Sequence, residues 1–346
     1  MKLQPILFTL LILLTSCEKK LETPFILNDQ GDKQQLSFSL KELEGSNIGP
    51  KDKYGLIDDV YFIDNNLFML DVKSDSIFLT YNLKGEIKKH FSKGEDPNQF
   101  VSPEFLKISN INDLKSDVHI FEYRKGLYQL NLTSKRKTPL LKFADYGLPL
   151  GIQSVSMMDK GEFAFVDTDP KTIFSLFDLD KKEIKGIPHN INNEIINPNQ
   201  YYSAITPKDI GYNKDHKILF TWNVVLNTID IYSTNGELIK SYGYGTNQNI
   251  ENKKFERRYI YYYNVKSQGD FIYGLYAGFN TVDNFTEALI PSLKTQLHIF
   301  NIRTNEAKIY QLDRLINACA VDFTNNIIYA IEENSESQPL VKYEIN

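Results

Sequence analysis

Cysteine is nearly missing from this chain: Cys17 and Cys319 are the only two among 346 residues. Two cysteines cannot staple a small secreted scaffold, and neither stands at a zinc-ligand spacing from a histidine or another cysteine. Histidine is also sparse. His90, His119, His189, His216 and His298 are scattered, and none is coupled to a nucleophile motif. Gly-x-Ser-x-Gly, the phosphate-binding loop and the zinc helix do not occur, so the sequence offers no catalytic residue, no metal-ligand set and no cofactor motif. A strong charge of one sign is missing as well. The net charge of −5 is spread along the chain, and the lack of a basic face argues against a nucleic-acid partner. No apolar run approaches the roughly 20 residues that cross a bilayer as a helix, and past the N-terminus there is no long amphipathic helical pattern.

What the N-terminus does hold is a short apolar run. Lys2 supplies a positive charge, Leu3 to Leu14 is mostly apolar, and Lys19, Lys20 and Glu22 end it. Its length is that of a signal-peptide hydrophobic region. The boundary Leu14-Thr15-Ser16-Cys17 resembles the lipobox of bacterial lipoproteins, where small residues admit a peptidase and the thiolate takes a diacylglycerol. The expectation is a signal peptide over 1–16 and lipid on Cys17. The plainer alternative is an ordinary signal peptide that holds a cysteine. Each buried methylene contributes about 0.8 kcal/mol, so several acyl chains anchor a protein to a membrane. With Cys17 acylated, Cys319 has no disulfide partner, and within Ile316 to Val321 it reads as a small core residue. Residues 17–34 are polar and aperiodic, which predicts a tether of up to roughly 55 Å at full extension.

From residue 35 onward the chain is a series of short alternating segments separated by Asn, Asp, Gly, Lys and Ser clusters, the signature of strands and tight turns. Aromatic residues at 13% fit a β-rich structure. One unit recurs: an alternating strand, a polar turn and a second strand. It appears at Ile77 to Phe91, Leu127 to Phe143, Ile173 to Ile187, Ile229 to Tyr242 and Leu297 to Tyr310, and begins again at Leu340 to Ile345. Two further strand-like runs precede it where they are clearest, as in Asp59 to Ile63 and Leu67 to Val72. Four strands per repeat, at a spacing of roughly 45 to 65 residues, describe propeller blades. The prediction is an all-β, six-bladed β-propeller over 35–346. The last blade runs out of chain after three strands, and Gln35 to Leu40 is expected to supply the fourth and close the ring. A β-sandwich of unrelated hairpins is the competing fold.

Loop lengths then point to a rim. In a propeller blade, the loops between strands 1–2 and 3–4 share one face; the 2–3 loop and the crossover share the other. The first set is short here. The long connections, Ser92 to Pro103, Pro188 to Gln200, Gly243 to Arg258 and Gly278 to Thr295, belong to the second, and long connections tend to carry function. At that rim Arg257 and Arg258 precede Tyr259, Tyr261 and Tyr263. On an innermost strand these three tyrosines would share one face, and a guanidinium pair beside them could hold an anionic or sugar-like ligand. The blander reading, which the residue types favour, packs the tyrosines between blades and leaves the arginines on a solvated edge. The Asn-rich stretch Asn190 to Asn199 is a weaker candidate for polymer contacts.

Three segments carry a family resemblance: Asn82-Leu83-Lys84-Gly85-Glu86-Ile87, the loop Lys93-Gly94-Glu95-Asp96-Pro97-Asn98-Gln99-Phe100, and Phe271 to Gly278. With the boundary at Cys17 they make the chain similar to the TolB-like six-bladed propeller lipoproteins of Bacteroidota. The loop resembles that family's Gly-Pro-Gly-Glu-Phe type, with Asn98 and Gln99 in place of Gly-Glu. The resemblance implies a lipid-anchored envelope protein more than any activity. The expected function is binding of an envelope protein, peptide or glycan partner through one rim. A propeller enzyme, such as a metal-dependent hydrolase or lactonase, is the alternative. The mixed charges of Glu18-Lys19-Lys20-Leu21-Glu22 favour the periplasmic face of the outer membrane over the cell surface.

Overall fold

The computed structural model describes residues 22–101, 103–108, 118–158, 161–169, 171–188, 207–246, 259–280, 294–333, 335 and 337–345. They form six sheets arranged as a ring, a six-bladed β-propeller whose blade strands pair antiparallel. Each of the first five blades takes four consecutive strands: residues 57–92, 103–142, 154–188, 209–244 and 259–312. Blade 6 takes three, Ile316–Asp322, Ile327–Glu332 and Leu340–Glu344. The first strands are innermost, meeting their neighbours in five of the six blade pairs, and so line the central channel. Helix is confined, among the described residues, to one turn at Phe143–Tyr146.

The alternating segments become blades because both faces of a blade are covered. Strands such as Val118–Glu122 and Asp209–Asn213 are buried at every position. Six apolar clusters hold the molecule, one at each blade-to-blade interface. Ile63, Phe68 and Phe78 of blade 1 pack on Val118 and Ile120 of blade 2; on the other side Val60 and Met69 meet Ala320 and Tyr329 of blade 6. The ring is therefore closed by packing all the way round.

The recurring turn has a common cause. In blades 1 to 5 the residue ending the third strand accepts on its side chain from two backbone N–H groups, two and then three or four residues on, a local alternative to the ladder that Asn, Asp and Ser provide. Asn82 Oδ1 accepts from Lys84 and Glu86. Asn131, Asp178, Ser233 and Asn301 do the same in blades 2 to 5.

An N-terminal strand closes the last blade, but not the one expected. Gln35 to Leu40 does not reach the final strand. Instead Ser46–Asn47 pairs antiparallel with Leu340–Glu344, opposite Lys342 and Val341. The chain before it forms a strap around the outer edges of two other blades. Pro24–Asn28 pairs antiparallel with the fourth strand of blade 4, and Lys33–Gln35 folds back on it. Phe38–Leu43 then runs parallel to Ala307–Leu312 of blade 5. The expected tether over 17–34 is thus structured from Pro24. Glycine permits the strap's close approaches: a Cβ on Gly243 would stand 2.3 Å from the Phe25 ring, and one on Gly45 would stand 2.5 Å from Val341.

Candidate functional site: the mouth of the channel

Polar residues interrupt the first strands, near the start at Asp59 in blade 1, Ser154 in blade 3, Asp209 in blade 4 and Asn317 in blade 6, and in the second half of the longer blade 5 strand at Asn264 and Lys266. A cavity of about 460 Å³ lies there, lined by all of these except Ser154. Its walls also take Val72, Trp222 and Val224, which sit at or just past the ends of second strands. That is the face from which the 2–3 loops and the blade crossovers leave. The cavity therefore opens on the rim to which the long connections belong.

Lys266 organises one side of it. The side chain is only 4% exposed, and its Nζ donates to Asp59 Oδ1 at 2.7 Å, to the Val60 carbonyl at 2.5 Å and to the Cys319 carbonyl at 2.8 Å. All three N–H donors are used, and the ammonium also sits 4.2 Å from the centre of the Tyr61 ring. Asp59 Oδ1 further accepts from the Val60 N–H and from Asn264 Nδ2, while Asn264 Oδ1 accepts from the Cys319 N–H. A buried carboxylate is tolerated here because an ammonium and two further donors surround it. Across the channel, Asp209 Oδ1 accepts from the Ser154 hydroxyl and the Ile210 N–H. Burial, then the Asp59 carboxylate, pushes the Tyr61 phenol well above its ordinary range, so its hydroxyl stays protonated. Deeper in, a small pocket of about 40 Å³ reaches Ser156 and His119, whose imidazole burial pushes down to about 4 and keeps neutral at pH 7.

The residues expected at this rim fare differently. Arg257, Arg258 and Asn190 to Asn199 lie outside the described residues, as does Cys17; of Tyr259 only the backbone is described, at the start of the blade 5 first strand. Tyr261 does not face the channel: at 2% exposure it is packed with Tyr262 in the cluster between blades 4 and 5. Tyr263 does line the cavity, its hydroxyl donating to the Ile316 carbonyl at 2.7 Å. Simple alternation fails because the strand carries two register shifts and a left-handed residue, Asn264, at φ 48°. The functional groups sequence reasoning missed are Asp59, Asp209, Asn264, Lys266 and Asn317. For Asp59, Asp209 and Asn317 the position near the start of a first strand was the available signal; Asn264 and Lys266, in the second half of theirs, lacked it.

The loop Ser92 to Pro103 is built inward rather than outward. Gly94 N–H donates to the Phe100 carbonyl and Phe100 N–H to the Ser92 carbonyl, which places the Phe100 ring, fully buried, between blades 1 and 2. The Lys137 ammonium covers that ring at 4.0 Å and pairs with Glu122 at 2.6 Å. Burial pushes the Glu122 carboxyl up, but hydrogen bonds from Lys137 and the Val101 N–H outweigh it and hold the group below its ordinary value. Among the described residues, no three His, Cys, Asp or Glu side chains converge as a metal site.

No family model matches the sequence, and no curated protein matches it. Solved structures do share its fold. A member of the DUF4221 family from Bacteroides vulgatus ATCC 8482 is 13% identical with a TM-score of 0.53, over 88% of this chain and 98% of that one. A protein of unknown function from Bacteroides thetaiotaomicron VPI-5482 is 12% identical with a TM-score of 0.52, over 94% of this chain and 76% of that one. At these identities the likeness is one of fold: the chain is a six-bladed propeller similar to Bacteroides propellers of unknown function.

Proposed function

We propose that this protein is a lipid-anchored propeller of the cell envelope that binds a protein, peptide or glycan partner through the rim around the channel mouth. The observation that carries this reading is the cavity's position. A polar, partly open cavity occupies the end of the channel on the side that the long connections leave, and ligand sites of propellers and other ring-shaped folds form where loops surround a concave mouth. The enzyme alternative gains no support from the carboxylates, because the ammonium of Lys266 already occupies the position beside Asp59.

The anchoring part of the proposal rests on the boundary at Cys17, and the strap sharpens its geometry. With the fold beginning at Pro24, a lipid on Cys17 would hold the outer edge of blade 4 within roughly 25 Å of the membrane. The mixed charges after Cys17 favour the periplasmic face of the outer membrane.

The test is photocrosslinking of the lipidated protein in its native envelope, with the crosslinker placed in turn at Asp58 on the mouth and at Glu86 on the opposite face. Enrichment of one partner from Asp58 alone is expected. Equal or no enrichment from both positions would overturn the reading. Radiolabelled palmitate should enter the wild type and not Cys17→Ser, and protease applied to intact cells should leave the propeller whole.

A further inference from the structure

The inventory of donors and acceptors at the channel mouth is uneven. Lys266 spends its three N–H groups inside the protein. Asn264 spends its carbonyl on Cys319 and one N–H on Asp59. Asn317 Nδ2 donates to the Ile57 carbonyl at 3.3 Å. What remains is one amide N–H each on Asn264 and Asn317 and, on the acceptor side, two oxygens. Asp59 takes all its bonds on Oδ1, so Oδ2 has no partner among the described residues although the residue is only 6% exposed. Asn317 Oδ1 likewise has none there. Both residues line the same cavity. Asp59 is buried and Asn317 half-buried, and acceptors bordering a cavity with no protein partner are satisfied by water or by a ligand.

The ligand must therefore bring donors, and charge decides which kind. Three carboxylates, Asp58, Asp59 and Asp209, line the cavity against the two ammonium groups of Lys208 and Lys266, so an anion would meet net like charge. A cation at Asp59 Oδ2 would stand close to the Lys266 ammonium, whose charge already balances that carboxylate. A neutral hydroxyl avoids both costs. The cavity's volume of about 460 Å³ is within the range of small-ligand sites, and Tyr61, Tyr263 and Trp222 give it aromatic walls.

We infer that the channel mouth holds a neutral saccharide unit, with ring hydroxyls donating to Asp59 Oδ2 and Asn317 Oδ1. This rests on the reading of the mouth as the binding face and names the ligand for it. Of the anionic and sugar-like ligands that an arginine pair beside tyrosines would suggest, it takes the second and assigns it to other residues.

The test is calorimetric titration of the full-length protein in detergent at millimolar ligand. The probes are the methyl glycosides of glucose, galactose, mannose and N-acetylglucosamine, with methylammonium and glucuronate as the charged counterparts. Saturable binding of at least one neutral glycoside is expected, weakened about tenfold or more in Asn317→Ala, a change that leaves the Lys266–Asp59 pair in place. Binding of no neutral glycoside, tighter binding of either charged probe, or equal affinity in Asn317→Ala would each overturn the inference. If glycosides fail while crosslinking from Asp58 still captures a protein, the saccharide assignment falls and the binding face stands. If both fail, the binding face falls too.

Discussion

Lys266 Nζ stands 2.7 Å from Asp59 Oδ1, so a first strand of blade 5 is bonded to the first strand of blade 1 across the width of blade 6. The same ammonium bonds the Cys319 carbonyl of blade 6. One buried cation thus ties together the three blades that flank the point where the chain's end meets its beginning. Removing one partner from a buried pair leaves the other charge uncompensated and costs about 3–5 kcal/mol. Lys266→Met is expected to lose that much in urea unfolding. Lys266→Met with Asp59→Asn, which keeps an oxygen for Asn264 and Val60 and removes the stranded charge, should recover more than half. A double variant no more stable than the single would show that the pair is not what holds this junction.

The outer side of the same junction depends on Ser46–Asn47. Arg314 fixes the approach, donating to the Gly45 carbonyl at 3.1 Å and to Asn47 Oδ1 at 3.0 Å while pairing with Glu332. Gly45→Val would press a side chain against Val341 and Tyr343 and lift this short strand from the sheet, a cost of about 1–3 kcal/mol for overpacking. Hydrogen exchange should show the amides of residues 340–344 losing protection in that variant. Unaltered protection would mean that the ring does not depend on this closure.

His298 gives the fold a pH dependence. Tyr262 donates its hydroxyl to Nδ1 at 2.9 Å and Nε2–H donates to Gln296 at 2.8 Å, while the rings of Tyr244 and Tyr276 pack against the imidazole. Burial pushes this imidazole from 6.5 down to about 3. Between those values the unfolded chain takes up a proton that the folded one refuses, so stability falls as pH drops from about 6.5 and the loss saturates near pH 3. At pH 5 the loss from this group is about 2 kcal/mol. His298→Gln is destabilised at pH 7, and its deficit relative to wild type should narrow by about that amount at pH 5. A deficit constant between the two pH values would mean that His298 carries no such shift.

Much of this architecture is local and was therefore legible. The turn after Asn82 recurs after Asp178 and Asn301 because each residue bonds its own neighbours, and local chemistry repeats visibly along a sequence. The closure was misplaced for the opposite reason. Lys33–Gln35 and Ser46–Asn47 are exposed at every position, so they bear no alternation that could set their register. The parallel pairing of Phe38–Leu43 with Ala307–Leu312 joins segments too far apart for any local pattern to show. The site was half visible. Asp59, beside Asp58, and Asp209, at the start of its strand, are carboxylates set next to apolar runs. Tyr261 falls at the register shift between Ile260 and Tyr262, and Lys266 follows a second shift that contains Asn264 at φ 48°, and neither is marked in the alternation.

Phe100 tests whether the loop resembling the Gly-Pro-Gly-Glu-Phe type is structural. Its ring is fully buried and meets the rings of Phe91 and Tyr128 edge-on, with Lys137 above it. Phe100→Ala should cost about 3–5 kcal/mol and leave glycoside titration at the channel mouth unchanged once the variant is folded. A small stability loss with a loss of binding would give the loop a ligand role instead.

Cys319 reports on the junction from within. It is fully buried, and desolvation pushes its thiol up to about 12, so in the folded protein it is neither accessible nor ionised at pH 8. Its backbone is bonded on both sides, the N–H to Asn264 and the carbonyl to Lys266. A thiol reagent can therefore reach it only when blades 5 and 6 separate. In a Cys17→Ser background, where Cys319 is the sole thiol, labelling at pH 8 should track that opening equilibrium. Losing about 3 kcal/mol of junction stability raises the open population by roughly a hundredfold, so Lys266→Met should label about that much faster than its parent. Phe100→Ala, which loosens blades 1 and 2 on the far side of blade 1, should accelerate labelling less than its total loss of stability implies if the interfaces open separately, and by the full amount if the ring unfolds as one unit. Immediate labelling of the parent, or equal rates in Lys266→Met and its parent, would show that the pair does not guard this interface.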